Sequence, residues 1–230
     1  MKMITQIYSL QKLDEAIAVM DAGADYIGLV PAQTIGLARV PMDEVHAIYN
    51  EARKRGLTCV GIALTNDPDE IIEVMKEAKP DILHICSEKY AADKAFAERL
   101  HKELPGMKLM QAVLIEGPEA VDQAKAYAEY CDYLILDTGL APNTGIGASG
   151  QTHDWNIDAE IVRSVNIPVI MAGGLGPDNV EAAVETVRPF GVDSLTKTSR
   201  FHEDGSMEKD PEKVKLFCDR AKAKAKELGI

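Results

Sequence analysis

The chain has 230 residues, 46% of them hydrophobic and 27% charged, and its 37 acidic against 25 basic side chains give a formal net charge of −12. That length suits one α/β domain, residues 1–230, able to bury a large core. The acidic balance excludes a nucleic-acid partner, which needs a basic face, and no apolar run approaches the ~18 residues of a membrane-spanning helix. A small anionic ligand stays compatible, because a local site can oppose the global charge. The opening Met-Lys-Met-Ile-Thr-Gln-Ile reads as a strand rather than a signal peptide. Cys59, Cys86, Cys131 and Cys218 lack C-x-x-C spacing and read as reduced thiols of a cytoplasmic protein.

In chain order, residues 2–8 form a short apolar strand, and Leu10, Leu13, Ile17 and Met20 then recur at helical spacing. Residues 25–31 make a second strand, 33–41 a polar loop, and 42–55 a helix stopped by Gly56. Strand 57–64 and helix 68–78 follow, then strand 81–86 and helix 88–103, with Pro105-Gly106 as the turn. Strand 108–115 leads to helix 118–130, and strand 132–137 to an eighteen-residue stretch, 138–155, rich in Gly, Asn, Thr and Ser. Loops of that length in a compact domain are usually functional. The seventh strand, 167–172, ends at Gly173-Gly174, and Gly176-Pro177-Asp178-Asn179 opens a helix. The eighth strand ends near Asp193, and 211–228 closes the chain as an amphipathic helix.

Eight strands alternating with eight helices across short turns demand a parallel sheet with right-handed crossovers. A closed (β/α)8 TIM barrel fits that count. An open doubly wound sheet would need a Gly-x-Gly-x-x-Gly after the first strand, which is absent. The openings Asp25-Tyr26-Ile27, Asp81-Ile82-Leu83 and Asp132-Tyr133-Leu134 read as one unit used several times. Barrel sites gather at the carboxyl ends of strands, and phosphate is held after strands seven and eight. Gly173 and Gly174 let backbone N–H groups approach such a phosphate beside a positive helix end. The inward-facing candidates at the other strand ends are Tyr8, Arg39, His84, Cys86, Gln111, Asp137 and Asp193.

Several blocks carry a resemblance: Asp21-Ala-Gly-Ala-Asp25-Tyr-Ile-Gly-Leu, Ile135-Leu-Asp137-Thr, Gly147-Ala-Ser-Gly150-Gln-Thr-His-Asp154-Trp155, the run Pro168 to Val180 around Ala-Gly-Gly-Leu, and Arg188-Pro-Phe-Gly-Val-Asp193. Over nearly its whole length the chain resembles phosphoribosylanthranilate isomerases of tryptophan biosynthesis. The resemblance implies an Amadori rearrangement of a phosphorylated sugar, aldose to ketose, with no cofactor and no metal. It makes Asp137 the general acid, Gly173, Gly174 and Leu175 one wall of the phosphate site, Arg39 and Asp193 substrate contacts, and His84 a pocket-facing imidazole. Trp155 is expected to pack at the hinge of the lid.

Two departures from the family pattern bear on the chemistry. Where the family has its catalytic Cys, this chain has Tyr8, and a phenol with pKa near ~10 is a poor acceptor of a carbon-bound proton. Cys86, two residues after His84, offers a substitute as a thiolate beside an imidazolium. After Asp193 the family's glycine-containing phosphate loop is replaced by Ser194-Leu195-Thr196-Lys197-Thr198-Ser199-Arg200. Lys197, Thr198 and Arg200 can bind phosphate through side chains, or Lys197 can serve as the Schiff-base amine of an aldolase. The readings are therefore an isomerase of this family, a paralogue isomerase or Lys197 aldolase on another sugar phosphate, and a catalytically silent sugar-phosphate-binding barrel. A monomer and a homodimer fit equally.

Overall fold

The computed structural model describes residues 2–31, 39–87, 89–138 and 152–230. The strands are β1 (Ile4–Ile7), β2 (Tyr26–Pro31), β3 (Arg39–Val40), β4 (Thr58–Ala63), β5 (Ile82–Ile85), β6 (Lys108–Ile115), β7 (Tyr133–Thr138), β8 (Val169–Met171), β9 (Gly191–Ser194), β10 (Ser199–Phe201) and β11 (Met207–Lys209). The helices are α1 (Leu13–Asp21), α2 (Met42–Lys54), α3 (Pro68–Ala78), α4 (Lys94–Glu103), α5 (Ala120–Tyr127), α6 (Trp155–Ser164), α7 (Val180–Val187) and α8 (Pro211–Leu228). Every barrel pairing is parallel, and the order β1-β9-β8-β7-β6-β5-β4-β2 closes on itself through Gln6↔Tyr26 and Ile7↔Ile27. Among the described residues this is a closed barrel of eight parallel strands wrapped by helices, as the alternation of periods predicts.

The alternating parity of each strand builds two kinds of core. Inward residues, among them Val60, Ile62, Ile82, Met110, Ile135 and Ile170, fill the barrel. Outward residues such as Leu83, Leu109, Leu134 and Leu136 meet the helices, which present Ile72, Phe96, Leu100, Ile161 and others. Each such side chain taken from water contributes roughly 1.5–3 kcal/mol. The helix starts follow local chemistry: Asp67 accepts hydrogen bonds from Asp69 N and Glu70 N with Pro68 in the first turn, and Asp210 does the same for Glu212 N and Lys213 N ahead of Pro211.

The repeated Asp openings have a structural cause at the amino-terminal end of the barrel. Each carboxylate reaches back to the first amide of the preceding barrel strand or its neighbour: Asp25 accepts from Thr5 N at 3.0 Å, Asp81 from Cys59 N at 2.7 Å, and Asp132 from Leu109 N at 2.9 Å. The carboxylate therefore satisfies a strand-end N–H that has no ladder partner there.

Three features lie outside what periodicity predicts. Arg39–Val40 adds a two-residue strand beside Val30 and Pro31. The helix expected from residue 88 begins at Lys94, and the helix expected from the Gly176 segment begins at Val180. After β9, a 3-10 turn (Thr196–Thr198) leads into an antiparallel hairpin, β10–β11. Most of the long loop expected over 138–155, and of the polar loop over 33–41, falls outside the described residues. Trp155 opens α6 and packs against the helix-side core.

Candidate functional site

At the carboxyl ends of the strands lies a cavity of about 550 Å³. Tyr8 follows directly on β1, β5 leads into the cavity with His84 and Cys86, β7 supplies Asp137, the turn after β8 supplies Gly173, Gly174 and Leu175, and β9 supplies Asp193. These eight residues come from five places in the chain, which strand parity and the turn after β8 bring together. The hairpin adds a wall that was not expected, formed by Phe201, Asp204, Gly205, Ser206 and Met207.

Tyr8 is buried, and its ring occupies the space beside Gly28, where an added Cβ would lie 2.0 Å from Tyr8 Cδ1. Its hydroxyl is 2.8 Å from His84 Nδ1, and the two rings stack with centroids 5.4 Å apart. Burial, reinforced by Asp193, Cys86 and Asp137, raises the phenol well above its ordinary pKa. Burial lowers His84 to about 3, so its imidazole is neutral. Tyr8 therefore donates to Nδ1, and the ring proton sits on Nε2, a buried nitrogen with no partner among the described residues. Cys86 is also buried, and desolvation together with Asp137 and Asp193 raises its thiol. Burial thus works against the thiolate–imidazolium pair expected at Cys86 and His84, favouring the neutral form of both groups and the protonated form of Tyr8.

The carboxyls differ from these. Asp137, at the inward end of β7, accepts a hydrogen bond from Thr138 N at 2.8 Å and is raised to about 6, chiefly by burial. Asp193, one strand beyond β8, accepts from Gln6 Nε2 at 3.2 Å and is raised to about 8 by burial and by the charge of Asp137. The sequence reading named Asp193 but missed Gln6, which shares the inward parity of Tyr8 on β1.

The wall after β8 is shaped by left-handed backbone at Gly173 (φ +79°) and Gly174 (φ +64°). A Cβ at Gly173 would lie 2.5 Å from Thr138 Oγ1 and 2.9 Å from His153 Nδ1. Asn179 ties the turn, its Oδ1 accepting from Gly176 N and its Nδ2 donating to Gly174 O. His153 braces the far side, with Nε2 at 2.8 Å from Asp158 and Nδ1 at 3.1 Å from Thr138 Oγ1.

Five expected site residues stand outside the cavity lining. Gln111 turns away from the barrel interior, where Met110 faces inward instead, and it staples the segment before α4 by accepting from Ala92 N and donating to Ala112 O. Thr198 is buried with its hydroxyl donated to Leu195 O. Lys197 is exposed, its stem packs against the Gly176 turn, and it is absent from the cavity lining, where a Schiff-base lysine would have to meet its substrate. Arg39 is exposed on β3, outside the lining, and Arg200 pairs with Asp210. Among the described residues the buried lysine is Lys209 on β11, donating to Leu195 O and Ser199 Oγ at 2.9 Å each and lowered to about 8 by burial. Its only signal in the sequence is its place just before the Asp-Pro that starts α8.

The family model for N-(5'-phosphoribosyl)anthranilate isomerase matches residues 5–220. The chain is 30% identical to N-(5'-phosphoribosyl)anthranilate isomerase 2 of Methanosarcina mazei over 94% of this chain and 93% of that one. It is 31% identical to the isomerase of Haloferax volcanii over 89% of this chain and 86% of that one. The phosphoribosyl anthranilate isomerase of Thermotoga maritima superposes with a TM-score of 0.78 at 23% identity, covering 96% of this chain and 99% of the other. A phosphoribosyl anthranilate isomerase solved with reduced 1-(o-carboxyphenylamino)-1-deoxyribulose 5-phosphate superposes with a TM-score of 0.75 at 21% identity, covering 96% and 99%. With a matching family model over almost its whole length and relatives of this identity and coverage, the chain belongs to the N-(5'-phosphoribosyl)anthranilate isomerase family.

Proposed function

We propose that the protein is a cofactor-independent isomerase that converts N-(5'-phosphoribosyl)anthranilate to its aminoketose in tryptophan biosynthesis. The observation that carries this reading is a buried carboxyl, Asp137, facing the same cavity as the Gly173–Gly174 turn. The turn is suited to the phosphate, since its positive-φ backbone approaches a ligand without a side chain in the way. Asp137, raised to about 6, carries a proton for part of the time near neutral pH and can deliver it to the furanose ring oxygen. His84 offers its Nε2–H as a fixed neutral donor to a substrate oxygen.

The aldolase reading loses its support with the exposure of Lys197. Expressed in a tryptophan auxotroph lacking the isomerase, the chain is expected to restore growth, and the purified protein to consume N-(5'-phosphoribosyl)anthranilate. Folded protein that does neither, yet binds a sugar phosphate, would leave the silent barrel as the better reading.

A further inference from the structure

In this chain the family's catalytic Cys position is occupied by Tyr8, whose hydroxyl is committed to His84 Nδ1 and whose ring is wedged beside Gly28. A group that must take a proton from carbon needs a free lone pair directed into the cavity. Cys86 lies in the lining as a buried thiol, and His84 Nδ1 is already engaged. The remaining lining group of this kind close to Tyr8 is Asp193. β9 pairs with β1 at Gln6↔Asp193, and Tyr8 N donates to Ser194 O, so the Asp193 carboxyl stands on the strand next to the vacated base position. It is 5% exposed, and Gln6 Nε2 holds its Oδ1.

We infer that Asp193 is a second catalytic carboxylate, and that Asp137 and Asp193 together form the acid–base couple of this enzyme, one giving a proton to the sugar and the other taking one from it. The inference rests on the isomerase reading. The couple starts with one proton between its two carboxyls; the reactive arrangement carries it on Asp137 and leaves Asp193 ionised, the minor of the two arrangements because burial holds the proton more tightly on Asp193. The protonated member gives it to the ring oxygen; the C1–O bond breaks, its electron pair stays on that oxygen, and the nitrogen lone pair forms C1=N. The ionised member removes the C2 proton. The C2–H electron pair becomes C1=C2, and the C=N pair returns to nitrogen. The enolamine then tautomerises to the ketone by moving a proton from the C2 hydroxyl to C1. One proton remains on the couple, and nothing is oxidised or reduced overall. The groups that face Asp193 are Tyr8 and Gln6 from β1, Asp137 from β7, Cys86 after β5 and Lys209 from β11. Of these only the carboxyls exchange a proton in the neutral range while lining the cavity.

The test compares wild type, Asp193→Asn, Asp193→Glu and Cys86→Ala on N-(5'-phosphoribosyl)anthranilate, unlabelled and deuterated at C2. Asp193→Asn is expected to lower kcat by about 10²–10⁴-fold and to abolish loss of the C2 deuterium, while still binding the reduced product analogue by calorimetry. Asp193→Glu is expected to recover part of kcat, and the bell-shaped pH profile of the wild type to lose one limb in Asp193→Asn. Asp193→Asn retaining wild-type kcat, or losing analogue binding in step with kcat/KM, overturns the inference. So does Cys86→Ala abolishing C2 deuterium loss while Asp193→Asn retains it. A folded wild type that leaves N-(5'-phosphoribosyl)anthranilate unconverted overturns the isomerase reading instead.

Discussion

At the scale of single residues, the site is governed by how little room it has. Gly173 combines a positive φ with neighbours at 2.5 and 2.9 Å from any added Cβ, so Gly173→Ala must both strain the backbone and push on Thr138 and His153. The strain alone is of order 1–2 kcal/mol. We expect Gly173→Ala to lower unfolding free energy by about that amount and to weaken inorganic phosphate binding, read by denaturant titration and calorimetry. Tyr8 and Gly28 form a matched pair by the same logic, a large ring on one strand set over a missing side chain on the next. That pairing explains why a base position could be given to a phenol without disturbing the barrel.

At the scale of elements, the hairpin β10–β11 adds a wall to the cavity that no barrel strand supplies. Its root is fixed: Glu15 accepts from Lys209 N and Gln11 N, and Lys209 holds Leu195 and Ser199 from beneath. Its tip is shaped by Asp204, which accepts from Ser206 N and Oγ, and by Gly205 at φ +82°. Phe201 stands at the mouth, 62% exposed. An exposed apolar side chain in the lining is free to meet a ligand and does not support the core, so Phe201→Ser is expected to raise KM several-fold with kcat and melting temperature nearly unchanged, as steady-state kinetics and thermal unfolding will show.

The barrel strands, the bounds of α3 and α8, and the placement of Tyr8, His84, Cys86, Asp137, Asp193 and the glycine turn were legible because period, caps and parity are local properties. The hairpin was not, since three-residue strands joined by a polar tip have no periodicity to detect. Gln111 was misplaced because one register step decides which face a residue takes. Lys197 drew attention over Lys209 because sequence proximity to a strand end says nothing of burial.

At the scale of the whole molecule, stability should depend on pH from two directions. Asp25, partly buried but bonded to Lys2 and Lys222, and Asp132, bonded to Leu109 N, Lys108 and His101, have lowered pKa values. Their contribution is present above the unfolded value near ~4 and is lost as pH falls. Asp137 and Asp193 are raised to about 6 and about 8, so their contribution is complete below ~4 and is lost as pH rises through those values. The melting temperature of the ligand-free protein is therefore expected to peak between about pH 4 and 6. Asp193→Asn, which keeps the neutral form, should be the more stable protein at pH 9, by on the order of a few kcal/mol, with the advantage gone near pH 4.

The three aspartate clasps carry a consequence for how the chain assembles. They join positions 20, 22 and 23 apart, whereas Gln6 and Asp193 meet across 187. Short separations close early and cheaply in entropy, and long ones wait. Successive β/α units can thus be fastened as each leaves the ribosome, while the seam between β1 and β9 must come last. Because that seam brings Asp193 beside Tyr8, the cavity lining and the barrel are completed in the same step, and a partly folded chain has no finished pocket.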